Sequence, residues 1–198
     1  MMSAEQKLEQ PRALIFDFDG TLADTMPTHY LAWRNTLGRY DLPFSEQRFY
    51  ELGGWSTRRL AELLLAEAGH SLSPAQLVDE KEAEFERLAG TVQPIIPVVE
   101  IAKSARGRIP MAVATSGLRR IVSPIHQQLQ LADWFDAFVT ADDVVHPKPA
   151  PDLFLEAARQ LKIAPSDCCV YEDTDAGIEA ATRAQMPFVD VRLLLSRD

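Results

Sequence analysis

The sequence has almost no cysteine, no long apolar run and no surplus of base. Its two cysteines, Cys168 and Cys169, are neighbours inside an apolar stretch. They read as small buried hydrophobes rather than a structural disulfide, and point to a reduced, cytoplasmic setting. No stretch approaches the roughly 18 apolar residues that cross a bilayer, so no membrane partner is expected. The opening residues, MMSAEQKLEQPR, carry no apolar core of a secretory leader. Lys and Arg number 20 against 29 Asp and Glu, a net charge of −9. That balance argues against a nucleic-acid surface, which wants a basic stripe. An anionic substrate would have to be held by local devices, namely a metal, a lysine or backbone N–H groups. No internal repeat or low-complexity tract is present, and no exposed coiled-coil pattern or long apolar patch suggests anything but a monomer.

What is present is an ordinary globular composition, 46% hydrophobic and 25% charged over 198 residues, enough for one good core or a core plus a small insertion. The organising stretch is Ala13–Asp24, ALIFDFDGTLAD. Ala13–Phe16 form a short apolar run of the kind that makes a strand buried on both faces. It ends in Asp17, Phe18, Asp19, Gly20 and Thr21. If strand geometry persists, Asp17 and Asp19 point to the same side, and two buried carboxylates so close require a compensating cation. Hard oxygen ligands suit Mg²⁺.

From about Asp24 to Val92 the chain reads helical, with stripes at Met26, Tyr30, Trp33 and Leu37, at Leu60, Leu63 and Leu64, and at Leu77, Lys81, Phe85 and Leu88. Beyond Pro94 strand and helix alternate. Strands are expected at Met111–Ala114, Phe135–Thr140, Cys168–Tyr171 and Phe188–Val191, with helices between them. The fold class is therefore α/β, a parallel-sheet core with a helical insertion after its first strand. Residues 1–23 and 93–198 form the expected core, and residues 24–92 an expected cap at the end where parallel-sheet sites form.

Polar residues fall at the strand ends: Asp17 and Asp19, then Thr115 and Ser116, then Glu172 and Asp173. Lys148 follows the expected strand Phe135–Thr140, at the same edge, in a loop stiffened by Pro147 and Pro149. Each has a physical role in one site. Asp17 can attack phosphorus as a carboxylate nucleophile. Mg²⁺ held by Asp17, the backbone carbonyl of Asp19, and Asp173, with Glu172 in or near its shell, would neutralise the gathering charge. Lys148, Thr115 and nearby backbone N–H groups would bind phosphoryl oxygens. Asp19 is placed to protonate the leaving oxygen and then to activate water.

DFDGT at Asp17–Thr21, the strand end at Thr115, Lys148 in KPAPD and EDTDAG at Glu172–Gly177 resemble, in order, the four motifs of the haloacid dehalogenase superfamily. The likeness covers nearly the whole chain. The insertion resembles the small cap of that superfamily's first structural subclass. PTHYLAW, GGWSTRR and HPKPAPDLFL are most similar to its β-phosphoglucomutases and sugar-phosphate phosphatases, particularly bacterial phosphatases acting on fructose 1-phosphate. The resemblance implies a Rossmann-like core, Mg²⁺, phosphoryl transfer through Asp17, and a small phosphorylated sugar as substrate. It also places cap residues. His29 matches a histidine that assists proton transfer, although a helix histidine that merely packs fits the same position. Gly54 and Ser56 match a loop that reads substrate, or an ordinary helix–helix turn. Trp33 lies below the cap joint, as core or as ligand wall, and Lys81 aligns with a cap lysine of the mutases. Two departures stand out: Glu172-Asp173 replaces the commoner Gly-Asp, and Gly117-Leu118-Arg119-Arg120 replaces small polar residues. The expected function is a Mg²⁺-dependent phosphatase of small sugar phosphates. The alternatives are a phosphomutase and a non-enzymatic phospho-acceptor domain.

Overall fold

The computed structural model describes residues 11–52 and 56–195. Strand β1 (Ala13–Phe16) leads through a two-residue strand, β2 (Ala23–Asp24), into helix α1 (Met26–Gly38). Helices α2 (Glu46–Glu51), α3 (Thr57–Ala68) and α4 (Pro74–Leu88) follow. The short strand β3 (Gln93–Pro94) returns the chain to the sheet. There α5 (Ile96–Ala105), β4 (Met111–Ala114), α6 (Arg119–Gln128), β5 (Ala137–Val139) and α7 (Asp152–Leu161) alternate. They are followed by β6 (Cys168–Glu172), α8 (Asp175–Arg183), β7 (Phe188–Asp190) and α9 (Arg192–Leu195).

Among the described residues, five strands form one parallel sheet in the order β5-β4-β1-β6-β7. The strand carrying Asp17 is thus central, flanked by the strands that lead to Thr115 and to Glu172. Alternation along β1 divides its residues between two buried layers. Leu14 and Phe16 pack with Val98, Val99 and Ala102 of α5 and Ile121, Val122 and Ile125 of α6. Ala13 and Ile15 pack with Leu153, Phe154 and Ala157 of α7 and Ala180 and Ala181 of α8. Every residue of β1 is buried, which is why the run reads as continuously apolar rather than alternating.

The inserted helices carry a separate apolar cluster of Trp33, Leu37, Phe44, Phe49, Leu60, Ala61, Leu65 and Leu77. Its helix starts follow from side-chain caps: Ser45, Ser56 and Ser73 each accept from a backbone N–H three residues on. Ala32 of α1 and Phe85 of α4, however, belong to the cluster beneath the sheet, so the insertion is seated on the core as well as on itself. A feature absent from the sequence reading is the antiparallel ribbon β2–β3, which pairs Ala23 with Pro94 and Asp24 with Gln93. Ile95 N also donates to Leu22 O at 2.9 Å. Both connections to the insertion are thereby tied together. Two-residue strands carry no periodicity, so composition gave no sign of them.

Candidate active site

The carboxyl ends of β1, β4 and β6 and the loop after β5 bring Asp17, Asp19, Thr115, Lys148, Glu172 and Asp173 to one edge of the sheet. Lys148 Nζ donates to Asp17 Oδ1 at 2.5 Å, to Glu172 Oε2 at 2.8 Å and to the carbonyl of Ala114 at 3.3 Å. All three ammonium donors are used. Carboxylate oxygens of Asp17, Glu172 and Asp173 lie within 4.8 Å of one another, so three acids face one ammonium. Burial first, then the charge of Glu172, pushes the Asp17 carboxyl well above the usual carboxylate range, against the pull of Lys148. The same two causes lift Asp173 to about 6. Burial works against the charge on Lys148, but Asp17 and Glu172 outweigh it and raise its pKa.

Glu172 is more fully engaged than its place in a metal-binding set suggests. Its Oε1 accepts from the Thr174 hydroxyl at 2.7 Å and from the backbone N–H of Thr174 and Asp173, while Oε2 takes Lys148. Asp173 Oδ1 accepts from the Thr21 hydroxyl at 2.7 Å. Among the described residues no donor is bonded to Asp17 Oδ2 or Asp173 Oδ2. Those two oxygens, with a Glu172 oxygen in the same group and negative charge in excess, fit a divalent cation with oxygen preference; Glu172 also holds Lys148 and Thr174. Gly20 permits the close approach. Its φ is +84°, and a Cβ there would lie 2.3 Å from Asp173 Oδ2.

Asp19 faces a different set of partners. Thr115 Oγ1 donates to its Oδ2 at 3.1 Å, and His29 Nε2 lies 3.6 Å from its Oδ1. Burial alone would raise its pKa, yet the hydrogen bond and charge of His29, with Thr115, hold it below the ordinary value. The Thr115 hydroxyl also accepts from Gly117 N at 2.9 Å, so it is turned toward Asp19. Ser116 stands exposed beside it. Gly117 fits where a side chain would not: a Cβ would come within 2.4 Å of Val122 Cγ2 and 3.3 Å of Asp19 Oδ2. The two arginines that follow are engaged in ion pairs, Arg119 with Asp143 and Arg120 with Glu86.

The inserted residues divide. His29, on α1, reaches Asp19 and stacks on Phe85 with ring centroids 4.0 Å apart. Lys81, on α4, is only 1% exposed, and its Nζ lies within hydrogen-bond distance of His29 Nδ1, at 2.9 Å. Its position in the Leu77–Lys81–Phe85 stripe was the sequence sign of that burial. Trp33 is 2% exposed inside the helical cluster, edge-on to Phe44, and so serves as core rather than ligand wall. The Ser56 hydroxyl caps α3 by accepting from Arg59 N at 3.3 Å. Gly54 lies outside the described residues. The acid-rich run Asp79–Glu86 reads in the sequence as a solvated helix face, but Glu82 is buried and pairs with Lys81 at 3.1 Å.

A family model described as haloacid dehalogenase-like hydrolase matches residues 11–185. The chain is 45% identical over 187 residues to the fructose-1-phosphate phosphatase YqaB of Escherichia coli, covering 94% of this chain and 99% of that protein. It is 32% identical to the β-phosphoglucomutase of Bacillus subtilis, covering 91% and 83%. A solved hydrolase of family IA, variant 3, from Entamoeba histolytica superposes with a TM-score of 0.81 at 29% identity, covering 90% of this chain and 83% of that one. Motif order, strand-end geometry and these likenesses agree: the chain belongs to the haloacid dehalogenase-like hydrolases.

Proposed function

We propose that this hydrolase is a Mg²⁺-dependent phosphatase of small sugar phosphates, with fructose 1-phosphate the first candidate, and that it works through a phosphorylated Asp17. The observation that carries the reading is the Asp17 carboxylate. It is buried at the end of the central strand, with Lys148 on Oδ1 and Oδ2 left without a donor among the described residues. The choice of sugar phosphate rests on the likeness to the Escherichia coli phosphatase. Membership in a hydrolase family sets aside the non-enzymatic phospho-acceptor.

In this reading Asp17 attacks phosphorus while the bond to the leaving oxygen breaks, and protonated Asp19 gives that oxygen its proton. Water then attacks the phospho-aspartate, its proton goes to the Asp19 carboxylate, and inorganic phosphate leaves. The free site holds Asp19 ionised; a phosphate dianion bound beside it raises its proton affinity, the direction the first step needs. Asp17 and Asp173, with the Asp19 backbone carbonyl and Glu172 nearby, would hold Mg²⁺. When bound, the cation supplies positive charge against the carboxylates and the transferring phosphoryl oxygens. Lys148 stabilises the same charge, and Thr115 and Ser116 are left to bind phosphoryl oxygens as Thr115 releases Asp19.

Residues 24–92 act in this proposal as a cap over a core of residues 1–23 and 93–198, delivering His29 to the catalytic edge. No helix among the described residues is long and apolar enough to cross a membrane. Burial pushes the Cys168 and Cys169 thiols up to about 11, which leaves both unreactive; the setting proposed is reduced and cytoplasmic, and the protein a monomer. The test is phosphate release from a panel of small phosphate esters. Release from fructose 1-phosphate is expected, and release from none of them would refute a phosphatase. The phosphomutase alternative draws on the Bacillus subtilis likeness. It predicts glucose 6-phosphate from β-glucose 1-phosphate and a bisphosphate primer, without free phosphate.

A further inference from the structure

We propose that Glu82 is a positioning residue: through Lys81 it fixes which ring nitrogen of His29 carries the proton, and so presents an N–H to Asp19. The proposal rests on the reading of Asp19 as the group that handles protons.

The four groups form a line from the interior of the inserted helices to the catalytic edge. Glu82 Oε1 lies 3.1 Å from Lys81 Nζ, Lys81 Nζ lies 2.9 Å from His29 Nδ1, and His29 Nε2 lies 3.6 Å from Asp19 Oδ1. The last distance is long for a hydrogen bond, as catalytic contacts commonly are before substrate binds. Glu82 and Lys81 are adjacent in sequence, and both are buried, at 6% and 1% exposure. Such a pair is costly to desolvate and is weak support for stability by itself.

The chemistry of the ammonium gives this pair a use. A charged lysine has three donors and no acceptor. Its contact with His29 Nδ1 therefore requires a lone pair on Nδ1, which puts the ring proton on Nε2, the nitrogen nearest Asp19. A neutral lysine could instead accept from Nδ1–H, and the ring would be free to turn its proton away from Asp19. The ammonium otherwise lies over Phe85 and Trp33, 5.1 and 5.9 Å from their ring centres, neither of which fixes a charge as a carboxylate does. Burial lowers the Lys81 pKa from its ordinary value; the opposing charges are those of Glu82, bonded to it, and Asp19, beyond His29. A ring that accepts at Nδ1 carries its single proton on the other nitrogen and is neutral, so its tautomer matters. Its plane is set by the stack on Phe85, 13° from parallel. Glu82 thus supplies the charge, Lys81 the direction and Phe85 the ring plane.

The readout is the ¹⁵N resonances of the His29 ring, assigned by their loss in His29→Gln, together with steady-state kinetics on the best substrate of the ester panel. The wild-type ring is expected as the Nε2–H tautomer. Glu82→Gln keeps the shape and a hydrogen bond to Lys81 but removes the charge. It should give a mixture of tautomers and a kcat lower by about tenfold, a part of the roughly 10²–10⁴-fold a positioned acid–base group supplies, with KM changed less than twofold. Glu82→Asp should restore the tautomer and most of kcat. A wild-type ring protonated on Nδ1 overturns the proposal whatever the variants do, including one that fails to fold. So does a Glu82→Gln enzyme whose tautomer and kcat match wild type. The assignment of Asp19 is judged separately by Asp19→Asn: an unaffected rate there removes the acid–base reading while the wild-type tautomer still stands on its own.

Discussion

Lys148 Nζ lies 2.5 Å from Asp17 Oδ1, and the two side chains are each only 7% exposed. The same ammonium holds Glu172 at 2.8 Å, so two buried acids drawn from different strands share one cation. Removing it leaves both without compensation. Lys148→Met should lower stability by about 3–5 kcal/mol, the usual cost of breaking a buried ion pair, measured as a shift in the urea midpoint. Lys148→Met combined with Glu172→Gln should recover part of that stability and none of the activity. Recovery of turnover in the double variant would show that Lys148 acts only through Glu172.

The two aspartates should separate in kind. Asp17→Asn removes a carboxylate that burial and Glu172 already disfavour, so turnover should vanish while the unfolding free energy stays within about 1 kcal/mol of wild type. Asp19→Asn keeps the hydrogen bond from Thr115 but cannot take a proton. Its kcat should fall by about 10²–10⁴-fold, the range expected for a general acid–base group. Normal turnover by Asp17→Asn would remove it as nucleophile.

Much of this site was legible in the sequence because its parts sit where apolar runs stop. Asp17, Thr115 and Glu172 each follow or end a short buried strand, and parallel topology alone gathers such ends at one edge. The partners within the site were not legible. Glu172 reads as lying in or near a metal shell, and nothing in its sequence neighbourhood shows that Thr174 bonds one of its oxygens and Lys148 the other. Trp33 reads as core or as ligand wall, and Lys81 as a stripe residue or a cap lysine, because a stripe does not reveal which neighbour covers it. Both are buried, with the Lys81 ammonium 5.9 Å from the Trp33 ring centre. Gly117 reads as a lost polar contact, whereas the space beside Val122 and Asp19 requires a glycine.

Metal dependence makes a prediction that need not involve turnover. Mg²⁺ binding by calorimetry should be measurable in the wild type and weakened in Asp173→Asn. Gly20→Ala should weaken it as well, since the new Cβ would lie 2.3 Å from Asp173 Oδ2 at a backbone φ of +84°. Excess chelator should abolish phosphate release and added Mg²⁺ restore it. Full activity in chelator would show that Lys148 alone balances the charge.

His126 makes the last prediction, and it concerns stability rather than catalysis. The ring is 5% exposed and stacks on Phe138 at 4.9 Å, with Phe18 and Phe135 around it. Its Nε2 has no hydrogen-bond partner among the described residues. Burial lowers its pKa from 6.5 to about 4, because a charged ring there would face only apolar groups. Between those two pH values the unfolded chain binds a proton that the folded protein excludes, so folding is penalised increasingly as pH falls from about 6.5 toward 4. A shift of that size amounts to about 3 kcal/mol once the pH is below both values. His126→Phe removes the titrating group and keeps an aromatic ring against Phe138. Melting temperatures of the two proteins, compared from pH 7 down to pH 4.5, should diverge steadily in favour of the variant. The buried carboxylates of the catalytic edge are common to both and cancel in the difference. A difference that stays constant over that range would mean that His126 is hydrated or hydrogen-bonded in the folded protein.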